Sequence, residues 1–63
     1  MALRHIETVA ANNRAAHVYR DTEWQEYRVK FARDGKELTE AAYFTDDKTD
    51  ALGTARHFVE TGL

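Results

Sequence analysis

The sequence predicts an α+β domain, a three- to four-stranded antiparallel β-meander with one C-terminal α-helix packed on one face. Three observations predict it. Tyr27, Val29 and Phe31 alternate with Glu26, Arg28, Lys30 and Ala32, the period of two of a half-buried strand. Asp34-Gly35 follows directly, and both residue types tolerate the positive φ of a tight hairpin. Beyond Thr45 the period changes. Ala51, Leu52, Ala55, Phe58 and Val59 recur at the spacing of an amphipathic helix.

Each element follows in chain order. Arg4 to Ala11 reads as a first strand, turned at Asn12-Asn13 because asparagine accepts the left-handed region. Leu3, Ile6, Val9 and Ala10 also suit one face of a short helix, so both readings of this segment stay open. Ala15 to Asp21 reads as the second strand, with Ala16 and Val18 facing one way and His17 and Tyr19 the other. A polar turn, Asp21-Thr22-Glu23-Trp24-Gln25, leads to the third strand at Glu26 to Arg33. The fourth strand runs from about Glu37 to Thr45, where Leu38, Ala42 and Phe44 share a face that Glu40 interrupts.

The helix starts in Thr45-Asp46-Asp47-Lys48-Thr49-Asp50, where Asp46 or Asp47 can cap free backbone N–H groups and the acidic first turn suits the helix dipole. Arg56 and His57 sit toward the other end, and Gly62 is a C-cap candidate. Gly53, inside the helix, costs about 1 kcal/mol relative to alanine, which close packing of helix on sheet would explain. The expected core is Val18, Tyr27, Val29, Phe31, Phe44, Leu52, Phe58 and Val59.

Sixty-three residues make one domain at most, and a chain this short buries only about 60% of its unfolded surface. There is no cysteine, so disulfides and thiolate metal sites are excluded. Self-association is the remaining route to extra stability. Nine basic and eleven acidic side chains give a formal charge of −2, which supplies no whole-molecule field for nucleic acid. The apolar runs are far shorter than the roughly 20 residues needed to span a bilayer. The first residues lack the apolar core of a signal peptide, so a cytoplasmic location is expected.

The search for chemistry returns little. Serine is absent along with cysteine, and no threonine sits in a nucleophile elbow. His5, His17 and His57 lie on three elements without ligand spacing, which reads as surface histidines. Asp46, Asp47 and Asp50 could hold a divalent ion, but they lack the glycine and distal glutamate of a calcium loop, and a helix cap explains them. Gly35, Gly53 and Gly62 form no phosphate loop. No cofactor, no metal and no catalytic residue is expected.

Binding surfaces are more legible. With Tyr27, Val29 and Phe31 facing the helix, Arg28 and Lys30 face outward, where His17, Tyr19 and Tyr43 can join them. Such aromatic and basic faces stack single-stranded bases, although ordinary sheet faces also carry cross-strand pairs of this kind. Glu26 and Glu40 dilute the positive potential there. Trp24, in a turn among Asp21, Glu23 and Glu26, is either a binding anchor or a lid on one end of the core. The acidic groups around it suit a basic groove on a partner.

The stretch Val18-Tyr19-Arg20-Asp21-Thr22-Glu23-Trp24-Gln25-Glu26-Tyr27-Arg28-Val29-Lys30-Phe31, with Asp34-Gly35 and Ala42-Tyr43-Phe44-Thr45-Asp46-Asp47-Lys48-Thr49-Asp50-Ala51-Leu52-Gly53-Thr54-Ala55, resembles a group of small phage and prophage proteins of Proteobacteria. The resemblance covers residues 18 to 55 and carries no site residues with it. It implies a non-enzymatic inhibitor or modulator of a host system, of which anti-CRISPR proteins are one class. The expected partner is a host protein or protein complex, approached through Trp24, Asp21, Glu23, Glu26, Tyr19, Arg28, Lys30 and Tyr43. The alternatives are a nucleic-acid-binding accessory protein using the open sheet face, and a homodimeric assembly protein.

Overall fold

The computed structural model describes residues 3–62, apart from the side chains of Thr39 and Glu40. Four strands and one helix follow in the expected order. They are β1 (Leu3–Ala11), β2 (Arg14–Asp21), β3 (Glu26–Arg33), β4 (Lys36–Thr45) and α1 (Lys48–Thr61). The strands form one antiparallel sheet in the order β1-β2-β3-β4, so the N-terminal segment is a strand rather than a helix.

Two hairpins are set by turn chemistry. Asn12 and Asn13 take φ values of 55° and 62°, closing Ala11 against Arg14. Asp34 and Gly35 take 54° and 81°, closing Arg33 against Lys36. Two successive positive φ angles match the twist of the flanking strands, which is why these residue types sit there. The two turns also touch, since Asp34 N–H donates to the Asn13 carbonyl at 2.8 Å.

The helix covers one face of the sheet. Ala16 and Val18 of β2, Val29 and Phe31 of β3, and Ala51, Ala55, Phe58 and Val59 of α1 form the buried core, with the Phe31 and Phe58 rings tilted against each other at 4.6 Å between centres. Three alanines are fully buried (Ala16, Ala51 and Ala55), and they let the helix lie close to the sheet. Tyr27 and Leu52 pack at the margin instead of the centre. Asp47 is the N-cap; its carboxylate accepts from Thr49 N–H at 2.9 Å and Asp50 N–H at 3.4 Å. At the other end Gly62 takes φ 82° and donates to the Phe58 carbonyl, while Asn12 and Arg14 both donate to the Val59 carbonyl.

Two irregularities decide which side chains reach which face. In β1 the register slips by one residue between His5 and Glu7, so Ile6 is an extra residue. In β4 the slip is larger: Val29 pairs with Tyr43 but Phe31 pairs with Leu38, leaving three more residues on β4 than on β3. An odd excess turns over every side chain beyond it. Leu38 and Tyr43 therefore both pack toward the core, and Phe44 points away from it, 54% exposed. This corrects the expectation that Leu38, Ala42 and Phe44 share one inward face; the interruption expected at Glu40 lies outside the described residues. It also moves Tyr43 to the helix side, where its phenol donates to Asp50 Oδ2 at 2.6 Å. The reading of Gly53 is corrected too. The residue is exposed, and a Cβ built there meets nothing within 4 Å.

Candidate functional site

The face of the sheet opposite the helix is uncovered, and its side chains fall into cross-strand rows. One row runs His5, Tyr19, Arg28, Phe44 across all four strands. The next runs Thr8, His17, Lys30. The side chains within and between rows touch. His5 meets Tyr19 edge-on at 5.4 Å, the Arg28 guanidinium lies 5.2 Å from the Phe44 ring centre, and the Lys30 ammonium lies 5.3 Å from that of Tyr19. Cations placed over aromatic faces this way are weakly attracted by the ring quadrupole.

The β2–β3 turn closes one end of this face, and Asp21 builds it. The side chain of Asp21 is fully buried. Its Oδ1 accepts from the backbone N–H groups of Glu23 at 3.0 Å and Trp24 at 3.2 Å. This is the habit of aspartate at turns, where the carboxylate satisfies N–H groups the turn leaves free. Its Oδ2 forms an ion pair with Arg28 Nη2 at 3.0 Å, whose geometry falls short of a directed hydrogen bond. Glu26 adds a looser contact to Arg28 Nε at 3.7 Å. The Arg28 charge is thus compensated within the molecule.

Around this turn lie three exposed large apolar side chains: Trp24 at 66%, Phe44 at 54% and Leu3 at 36%. The register places them at one end of the sheet, Leu3 and Phe44 on its two border strands and Trp24 on the turn between the inner two. Leu3 pairs with Asp21 at the start of β1, and Phe44 pairs with Arg28 two positions further along. Trp24 sits on the turn between β2 and β3, so the three bracket the Asp21–Arg28 pair. The opposite end of the face holds a shallow open hollow of about 520 Å³ over Ala15 and Ala32, bordered by His17 and the two tight turns. It is lined by small and polar groups and has no apolar anchor, so it is the weaker candidate.

Of the residues singled out from the sequence, Tyr19, Arg28 and Lys30 come together on the open face, with Glu26 beside Arg28. Trp24 and Glu23 lie on the exposed turn. Two expectations are corrected. Tyr43 belongs to the helix side, for the register reason given above. Asp21 is an internal turn support rather than a surface charge, because its carboxylate is enclosed by its own turn and by Arg28. Sequence reasoning missed Phe44 and Leu3 as surface groups, and it missed His5 as a neighbour of His17. Among the described residues, no three histidine or carboxylate side chains gather as a metal cluster, and no helix is long and apolar enough to cross a membrane.

No family model matches this chain, and no curated protein or solved structure is similar to it.

Proposed function

We propose that this chain is a non-enzymatic protein-binding module that docks through the Trp24 end of its open sheet face. One observation carries the reading: among the described residues, Leu3, Trp24 and Phe44 are the large apolar side chains left exposed, and all three lie at the same end of the sheet. Single exposed hydrophobics need no explanation, but a cluster around a rigid turn is the composition of an interface centre. The buried Asp21 carboxylate holds the backbone of the turn that presents Trp24, so the turn itself need not be ordered on binding. The partner class follows from the phage resemblance: a host protein complex, which the chain inhibits or modulates by occupying a surface, with CRISPR effector complexes as the first class to test.

The test is capture of partners by the tagged protein from nuclease-treated lysate of a CRISPR-bearing bacterium, read by mass spectrometry, alongside Trp24→Ala and Phe44→Ala. The expected result is one complex retained near stoichiometry by the wild type and lost by both variants. Equal retention by wild type and variants would show that another surface binds.

A second reading has its own observation. Lys30 on Tyr19 and Arg28 on Phe44 resemble the stacked, cationic faces that hold single-stranded nucleic acid. It is the weaker reading because Asp21 and Glu26 already compensate Arg28, leaving Lys30 to meet phosphate. A shifted oligonucleotide at low salt, released as salt rises, would favour it.

A further inference from the structure

The open face carries a cluster that the apolar patch does not use. His5 Nε2 lies 2.7 Å from Thr8 Oγ1, and the same oxygen lies 2.9 Å from His17 Nδ1. Two imidazole nitrogens from adjacent strands therefore converge on one point. The Ile6 bulge creates this convergence. In a regular strand, residues three apart point to opposite faces. The extra residue returns His5 and Thr8 to the same face, with His5 beside Tyr19 and Thr8 opposite His17. Bulges commonly re-aim side chains at functional positions.

We propose that His5 and His17 form a surface site for a divalent transition-metal ion of the imidazole-binding kind, such as Zn²⁺ or Ni²⁺, held between the two rings on the solvent side of the Thr8 hydroxyl. Metal–imidazole bonds are about 2.0–2.1 Å long, so the two rings, 6.3 Å apart centre to centre, swing toward each other to share one ion. His5 and Thr8 are both exposed, which leaves the His5 ring room to move and the ion open to solvent. Binding uses the Nδ1–H tautomer of His5 and the Nε2–H tautomer of His17, each offering its inward lone pair. Tyr19, edge-on to His5 at 5.4 Å, holds that ring in place.

The ligand set also fixes what kind of site this is. Two imidazoles leave the remaining coordination positions to water, so the ion is exchangeable rather than structural. Imidazole donors favour Zn²⁺ and Ni²⁺ over Mg²⁺ and Ca²⁺, which demand oxygen. Lys30, directly across from His17, opposes a bound cation. Glu7 pairs with Val18 and so lies on the helix side, where it offers no help. The site does not involve Trp24, although His5 shares its cross-strand row with Phe44.

Titration calorimetry of the full chain with ZnCl₂ and NiCl₂, paired with NMR of the histidine side chains, tests it. One ion per chain is expected to bind, with shifts confined to the His5 and His17 rings. His5→Ala and His17→Ala should each weaken binding at least about tenfold, since even indirect support of a metal ligand is worth that much. His57→Ala, on the helix across the sheet, should bind as the wild type does, and Lys30→Gln should bind more tightly. Absence of binding to the wild type, or binding that survives both His5→Ala and His17→Ala, would overturn the site.

Discussion

The phenol of Tyr43 donates a 2.6 Å hydrogen bond to the carboxylate of Asp50, tying the last strand to the first turn of the helix. That bond favours the protonated phenol, and partial burial and the negative charge of Asp50 act the same way, so Tyr43 titrates above its ordinary value of 10.0. A group whose value is raised on folding stabilises the folded state below its unfolded value, and that contribution is lost as pH rises through the folded value. Tyr43→Phe should therefore melt below the wild type at neutral pH, and the gap should close in strong alkali. Absorbance of tyrosinate should show one phenol ionising later than the others. A gap that stays constant through the alkaline range would show that this bond is not the cause.

Asp21 is the buried charge on which the binding end depends. Replacing it with alanine removes the acceptor of two backbone N–H groups and leaves Arg28 without its main partner. Breaking a buried pair from one side costs about 3–5 kcal/mol, a large share of what a domain of this size possesses. Urea denaturation of Asp21→Ala should show a midpoint far below that of the wild type. Double replacement with Arg28→Met should recover part of the loss.

Trp24 makes the opposite prediction. Its side chain is 66% exposed, so Trp24→Ala should change stability by no more than about 0.5 kcal/mol while abolishing partner capture. A cooperative thermal transition close to the wild type separates loss of contact from loss of fold.

The two glycines at the helix have contrary roles. Gly53 is exposed and a Cβ there meets nothing, so Gly53→Ala should raise stability by about 0.5–1 kcal/mol through helix propensity. Gly62 needs φ 82°, and a Cβ there would come within 3.0 Å of the Arg14 guanidinium, so Gly62→Ala should lower stability. Chemical denaturation of the pair reads both signs.

Much of this architecture is legible before any coordinates. Asn12-Asn13 and Asp34-Gly35 place two hairpins, and the alternation from Glu26 to Arg33 assigns the faces of β3 correctly. The cap at Asp47 and the stop at Gly62 follow from residue type. The misreadings share a cause. Strict alternation was carried through β4, and three extra residues reversed it, exchanging Tyr43 for Phe44. One extra residue at Ile6 likewise hid the meeting of His5 with His17. A bulge shifts the phase of the alternation, and β1 and β4 carry too few strongly apolar residues on either side of theirs for the shift to stand out. Asp21 was misjudged for a different reason: an aspartate at a turn looks the same in sequence whether it faces water or its own backbone. The buried alanines Ala16, Ala51 and Ala55 carried too little hydrophobicity to stand out.

The excess residues in β4 also govern how the sheet ends. An outer strand with an even backbone invites another chain to extend it, in the manner of a growing fibril. On β4 the run of evenly spaced N–H and C=O groups is broken midway, and on β1 it is broken at Ile6. Neither border offers a full-length template to an incoming strand. The tryptophan, phenylalanine and leucine left in water at one end of the sheet are thus denied the backbone ladder that would turn contact into polymer.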